Sequence, residues 1–161
     1  LSRSVELTGH WSALKRVLNE ASPKLKSESR RTIGRQLKKI EAKVLNHIDE
    51  QDLGWDPLNP AYLKAKKKKH KGVEDILRAS NQMYQNITTH QEDSFSGAVG
   101  VKRGVKTKDG ADVTDIALIH EQPDDDGKKI PARKLWKPTF NEMKAGIGEA
   151  LKGIAIEVFK K

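Results

Sequence analysis

Between Pro23 and Gln51 the apolar residues Ile33, Leu37, Ile40, Val44 and Ile48 follow one another at steps of 4, 3, 4 and 4. This is the α-helical period, carried on a single stripe. Arg30, Arg31, Arg35, Lys38, Lys39 and Lys43 take the remaining faces. A helix this long with one apolar stripe is not a buried core helix. It must lie across another surface, and a neighbouring subunit is one candidate. Ser22-Pro23 predicts its start, with Ser as N-cap and Pro in the first turn. Ahead of it, Trp11, Leu14, Val17 and Leu18 predict a separate short helix over His10–Glu20. Ser4 to Thr8 alternates weakly, as a short strand or an ordered arm would.

Gly54, Pro57 and Pro60 end the long helix and forbid its immediate resumption. Asn59-Pro60 predicts a new start, running through Tyr62 and Leu63 into a lysine run. One or two short helices are expected between Asp75 and Ile87. The period then changes. Phe95, Gly97, Val99 and Val101 alternate with small residues, a strand pattern for which Thr88–Gln91 is a candidate partner. Lys108-Asp109-Gly110 marks a hairpin-type turn. For the short apolar run Asp115–His120, periodicity does not decide between strand and helix. Pro123–Lys129 reads as a polar loop. Phe140, Met143, Ile147, Leu151, Ile154 and Val158 predict a C-terminal amphipathic helix. Gly146, Gly148 and Gly153 lower its intrinsic propensity, so packing must hold it.

The expected fold is therefore α+β: long N-terminal helices, a small antiparallel sheet within 88–120, and a C-terminal amphipathic helix packed on the sheet. Residues 1–52 read as a basic arm with helices and 53–161 as an α+β core, together one structural unit. At 161 residues the chain is one domain's worth of protein. Leu1 in place of a starting Met points to residues ahead of it, and the first residues carry no apolar stretch of the signal-peptide kind.

The chain has no cysteine, which excludes disulfides, thiol chemistry and cysteine-ligated metals. No apolar run approaches the ~20 residues of a membrane span. The net charge of +9 is unevenly spread: 18 Lys/Arg face 10 Asp/Glu in residues 1–90, and 13 face 12 in residues 91–161. The N-terminal part is thus expected to meet a polyanion or an acidic partner. Six of the eight residues from Lys64 to Lys71 are lysine (Lys64, Lys66, Lys67, Lys68, Lys69 and Lys71). With Arg30, Arg31, Arg35, Lys38 and Lys39 they are the candidate phosphate contacts, of the kind that neutralises a nucleic-acid backbone without reading sequence. A solvated helix end is the ordinary alternative. No aromatic residue interleaves the run to stack single-stranded bases.

The five histidines show no helical metal-ligand spacing. His120 beside Glu121 could supply a general base, with a His–backbone hydrogen bond as the structural alternative and no nucleophile motif to accompany it. Asp124-Asp125-Asp126-Gly127 is contiguous, where calcium loops space carboxylates at alternate positions. Phosphate-cradling glycine loops and the G-x-S-x-G elbow are both missing. The expectation is a protein with no cofactor, no metal and no catalytic activity.

An ordered set of landmarks runs through the middle of the chain. It comprises Gly54-Trp55-Asp56-Pro57-Leu58, Tyr62-Leu63-Lys64 into the lysine run, Ile76-Leu77-Arg78-Ala79-Ser80-Asn81-Gln82-Met83, and Ala98-Val99-Gly100. Ile116 to Glu121 and Ile130-Pro131-Ala132-Arg133 with Leu135-Trp136 complete it. The set resembles the virion morphogenesis or tail completion proteins of tailed phages, with related neck and minor tail proteins. Their pattern closes a strand in V-G and carries I-H-E and I-P-A-R before a last helix. The resemblance covers about residues 53–140. Asn81 stands where that pattern has Gly, and Gln122-Pro123 where it has Phe-Gly.

The resemblance implies a structural virion protein at the head–tail junction, made in the host bacterial cytoplasm. It implies a homo-oligomeric ring, for which a hexamer is one candidate size, docked to other neck, connector and tail proteins and surrounding packaged double-stranded DNA. No membrane is involved. Trp55, Pro57, Leu58, His120, Glu121, Ile130, Pro131 and Arg133 are then packing or interface residues. A tail terminator and a free-standing, sequence-nonspecific nucleic-acid-binding protein are the alternatives.

Overall fold

The computed structural model describes residues 11–122 and 131–160. Helix α1 (Trp11–Glu50) takes 40 residues, about 60 Å at 1.5 Å per residue. It passes through Pro23 without a break, so the expected pair of helices is one helix and Ser22 is not its N-cap. Proline inside a helix deprives the carbonyl four residues earlier of its donor. Here that carbonyl belongs to Asn19, and Asn19, Ser22 and Pro23 all face solvent, where water can replace the missing bond. The expected stripe does face inward: Leu37, Val44 and Ile48 are buried, and Ile33 and Ile40 are half-buried. Gln51 ends the helix in a left-handed conformation (φ 53°). Its side-chain amide donates to the Ile76 carbonyl at 3.2 Å and accepts from the Ile76 N–H at 2.9 Å, tying the helix end to the segment that follows α2.

Helix α2 (Pro60–Lys69) starts where the sequence places it, with the Asn59 side chain accepting from the Ala61 N–H at 2.9 Å. Its lysines crowd the last turn, where the helix dipole favours cations. After the single turn α3 (Gln82–Gln85), strands β1 (Ile87–His90) and β2 (Ala98–Val101) pair antiparallel, with Ile87 opposite Val101 and His90 opposite Ala98. The connecting loop is held by Asp93, whose Oδ1 accepts from the Phe95 and Ser96 N–H groups at 2.6 and 2.8 Å. Gly97 lets it press onto α1. A Cβ there would lie 2.5 Å from Leu37 Cδ1 and 2.9 Å from the His90 carbonyl oxygen.

The turn at Lys108–Gly110 is present: Gly110 is left-handed (φ 85°) and an isolated bridge joins Lys106 to Asp112. The undecided run is helix α4 (Val113–Glu121), capped by the Asp112 side chain, which accepts from the Thr114 N–H at 2.9 Å. The Pro123–Lys129 loop and the Ser4–Thr8 segment lie outside the described residues.

Helix α5 (Trp136–Phe159) closes the fold. Near its start Glu142 meets Lys43 at 2.7 Å, seven residues short of the end of α1. Its far residues Ile154 and Val158 are still buried, which requires α5 to run antiparallel, back along α1. It reaches the sheet region through α1, which also packs against both strands. One core joins α1, α3, α4, α5 and both strands. Val44 and Ile48 of α1 pack with Met83, Ile87, Val113 and Leu135, and Trp55 and Trp136 lean on that cluster.

Candidate functional site: a motif junction, a basic groove and an apolar outer face

The structure brings together the two motifs that carry most of the sequence resemblance. The Arg133 N–H donates to the His120 carbonyl at 2.8 Å. Glu121 at the end of α4 then caps α5. Its Oε2 accepts from the Leu135 and Trp136 N–H groups at 2.7 and 3.2 Å, and its Oε1 from Lys137 at 3.1 Å. The Trp55 indole N–H donates to the Lys134 carbonyl at 3.0 Å. Leu58 and Pro131 are half-buried beside this junction, Pro57 is exposed, and Ile130 lies outside the described residues.

Glu121 is thus committed to a helix terminus. Burial, and after it the Arg133 charge, push the His120 imidazole down to about 4. His120 is therefore neutral at pH 7. No group of three His, Asp or Glu side chains among the described residues is arranged to hold a metal ion, and the Asp124–Gly127 run lies outside them.

The lysine run does not present a uniform cationic surface. Lys66 is turned inward, 4% exposed, and its ammonium donates to the Asp75 carbonyl, so it is withdrawn from the set of surface phosphate contacts. The helical period explains this, because one residue in each turn of α2 must face the core. Lys67 pairs with Glu74 at 2.6 Å and Lys69 with Asp109 at 2.8 Å. Lys64, Lys68 and Lys71 point into solvent with no ion pair among the described residues.

On α1 the five expected cations line one shallow groove with Ser27, Gly34 and Gln91. Arg31 pairs with Glu28 and Lys38 with Glu41, each at 2.6 Å. Arg30, Arg35 and Lys39 have no ion pair among the described residues. The Gln91 side chain donates to the Arg30 carbonyl at 2.9 Å, and Gly34 leaves room for it: a Cβ there would sit 3.2 Å from Gln91 Oε1.

The third feature escaped the sequence reading. The buried side of α5 is Thr139, Met143, Ile147, Ala150, Ile154 and Val158. Phe140 and Leu151, which the sequence periodicity places on that stripe, instead belong to a second one with Lys144, Gly148, Ala155 and Phe159. Phe140 is 50% exposed, Leu151 42% and Phe159 56%, and the neighbouring Ile156 is 69% exposed. The two stripes are one residue apart in phase, about 100° on a helix, so a single list of apolar positions merges them. Leu118 and Ile119 on α4 are also exposed.

No helix among the described residues is long and apolar enough to cross a membrane. No protein-family model, no curated protein and no solved structure matches the chain.

Proposed function

We propose that this chain is a structural subunit of a tailed-phage particle, one copy of a ring at the head–tail junction that acts in tail completion or as a neck protein. The observation that carries the reading is the second apolar stripe of α5. A chain whose last helix exposes Phe140, Leu151, Ile156 and Phe159 completes its burial against another surface, and sibling copies supply it in a ring. The motif junction supports the resemblance behind this reading, because I-H-E and P-A-R meet through backbone and carboxylate hydrogen bonds. Asn81 adds to it. Its φ is 61°, it stands where the family pattern has glycine, and asparagine is the side chain that best tolerates that conformation. The work of such a subunit is assembly, with no catalysis, and the α1 groove faces packaged DNA.

The test is the mass of the purified protein across a concentration series, together with its detection in purified particles. Assembly into one closed oligomer, abolished by Leu151→Asp with Ile156→Asp while the circular dichroism stays unchanged, is expected. A monomer at every concentration, absent from particles, overturns the reading.

The groove favours a second reading, a free-standing DNA-binding protein. Five phosphate contacts give a log–log salt slope of about −4.5. Removing Arg30, Arg35 and Lys39 lowers it by about 2.7. A steep slope without any oligomer selects this second reading.

A further inference from the structure

Behind the motif junction lies a cleft of about 780 Å³, within the usual range for a site that holds a small organic molecule. Leu58, Leu77 and Ile116 contribute apolar walls, and Lys66, His120 and Arg133 contribute polar ones. Two of those polar residues are cations withdrawn from water: Lys66 is 4% exposed and Arg133 5%. Neither has a carboxylate within ion-pair distance among the described residues. The Arg133 Nε–H is buried with no hydrogen-bond partner, and so is His120 Nδ1. The Lys66 ammonium makes one bond, to the Asp75 carbonyl, and an ammonium has three donors.

Buried cations without counter-charge are costly, and the cost is offset only by a paired, hydrogen-bonded anion. The Arg133 guanidinium and the Lys66 ammonium both line the cleft, and a carboxylate accepts from either. The cleft is far larger than a carboxylate alone, and its other walls are apolar.

We infer that this cleft is a binding site for a small amphiphilic organic acid, its carboxylate held by Arg133 and Lys66 and its hydrocarbon body lying against Leu58, Leu77 and Ile116. The exposed Tyr62 side chain, which also lines the cleft, forms its rim. The site is built within one chain, so the inference stands apart from the ring reading.

The test titrates sodium decanoate, kept below its micelle concentration, into the full chain by calorimetry and by amide NMR. Saturable one-to-one binding is expected, with shifts clustered at Leu58, Ile116 and His120. Decanol, which has the body without the charge, binds at least tenfold more weakly, and acetate does not saturate. Arg133→Met weakens decanoate at least tenfold and leaves decanol within twofold. Lys66→Met does the same and carries the test if the Arg133 variant does not fold. Equal affinity for decanoate and decanol overturns the inference. So do decanoate shifts confined to Phe140, Leu151 and Ile156 on α5, or an unchanged decanoate affinity in the Lys66 variant.

Discussion

Glu121→Ala removes a single carboxylate that satisfies the whole N-terminus of α5. A helix start leaves its first N–H groups without intrahelical partners. Here the Leu135, Trp136 and Lys137 groups all donate to Glu121 at 2.7 to 3.2 Å. Pro138 has no N–H to satisfy, and the Thr139 N–H makes the first intrahelical bond, to the Leu135 carbonyl at 3.3 Å. Loss of a side-chain cap costs about 1 kcal/mol, and loss of a negative charge at a helix start about 0.3–1 kcal/mol more. The Leu135 residue is only 2% exposed, so its N–H gains little water in exchange, at a further cost of about 1–3 kcal/mol. These terms overlap, and the expected total is about 2–4 kcal/mol. Glu121→Gln keeps one acceptor oxygen and loses the charge, for about 1 kcal/mol. Urea denaturation followed by tryptophan fluorescence measures both, since Trp55 and Trp136 sit at this junction. A Glu121→Ala variant within about 0.5 kcal/mol of the parent, or a Gln variant as destabilised as the Ala variant, would refute the accounting.

Gly97→Ala places a methyl group against the His90 carbonyl and Leu37, so a loss of about 1–3 kcal/mol is expected in the same assay; a neutral outcome means that the β1–β2 loop stands off α1. Gly146→Ala meets nothing within 4 Å and should stabilise the fold by about 0.5–1 kcal/mol, read as a rise in the denaturation midpoint. His120 titrates near 4 when folded, against an ordinary 6.5. The unfolded chain therefore binds the extra proton between those values. The contribution of His120 is fully present above pH 6.5 and is lost as pH falls towards 4, about 3.4 kcal/mol for the whole shift and about 2–3 kcal/mol once solvent screening of the partly exposed ring is taken off. His120→Asn should flatten that part of the stability–pH curve, and an identical slope in both proteins rejects the assignment. Hydrogen bonds to Lys43 and His47 hold the Glu142 and Asp52 carboxyls below their ordinary range, the Lys43 bond leading for Glu142 and the His47 bond for Asp52. Their stabilisation is present above the usual carboxylate range and lost in acid. Glu142→Gln with Asp52→Asn should therefore narrow the difference in stability between pH 6 and pH 3.

What could be read in the sequence was what local chemistry decides. Asn59-Pro60 specifies a helix start by itself, because an Asn side chain reaches its own next N–H groups and Pro has none to satisfy. The turn at Gly110 and the strand 98–101 are local in the same sense. Helix α4 carried a signal that went unused. Asp112 caps it through Thr114, and that pair decides a run of nine residues which apolar periodicity leaves ambiguous. Pro23 misled for the opposite reason. Its local preference is strong, but on a solvent-facing turn one unmade bond costs less than breaking a helix whose stripe is already committed to the core. The Glu121 cap and the Arg133–Lys66 pair could not be read at all. They join residues 14 to 67 positions apart, and nothing in a lysine run tells which lysine turns inward.

The two stripes of α5 bear on assembly through its glycines. Gly146 and Gly148 have no atom within 4 Å of an added Cβ, so intrachain packing does not require them, and each weakens the helix it sits in. Gly148 lies on the outer stripe between Lys144 and Leu151, where a missing side chain leaves a notch. On a surface that stays in water the notch serves nothing and alanine is the better residue. On a surface that takes another helix it sets how closely the two backbones approach, which is where a residue without Cβ matters most. Stability and assembly then respond in opposite directions to one substitution. Gly148→Ala should raise the denaturation midpoint of the monomer while weakening self-association. If it strengthens both or leaves association unchanged, the outer stripe is not the contact between copies.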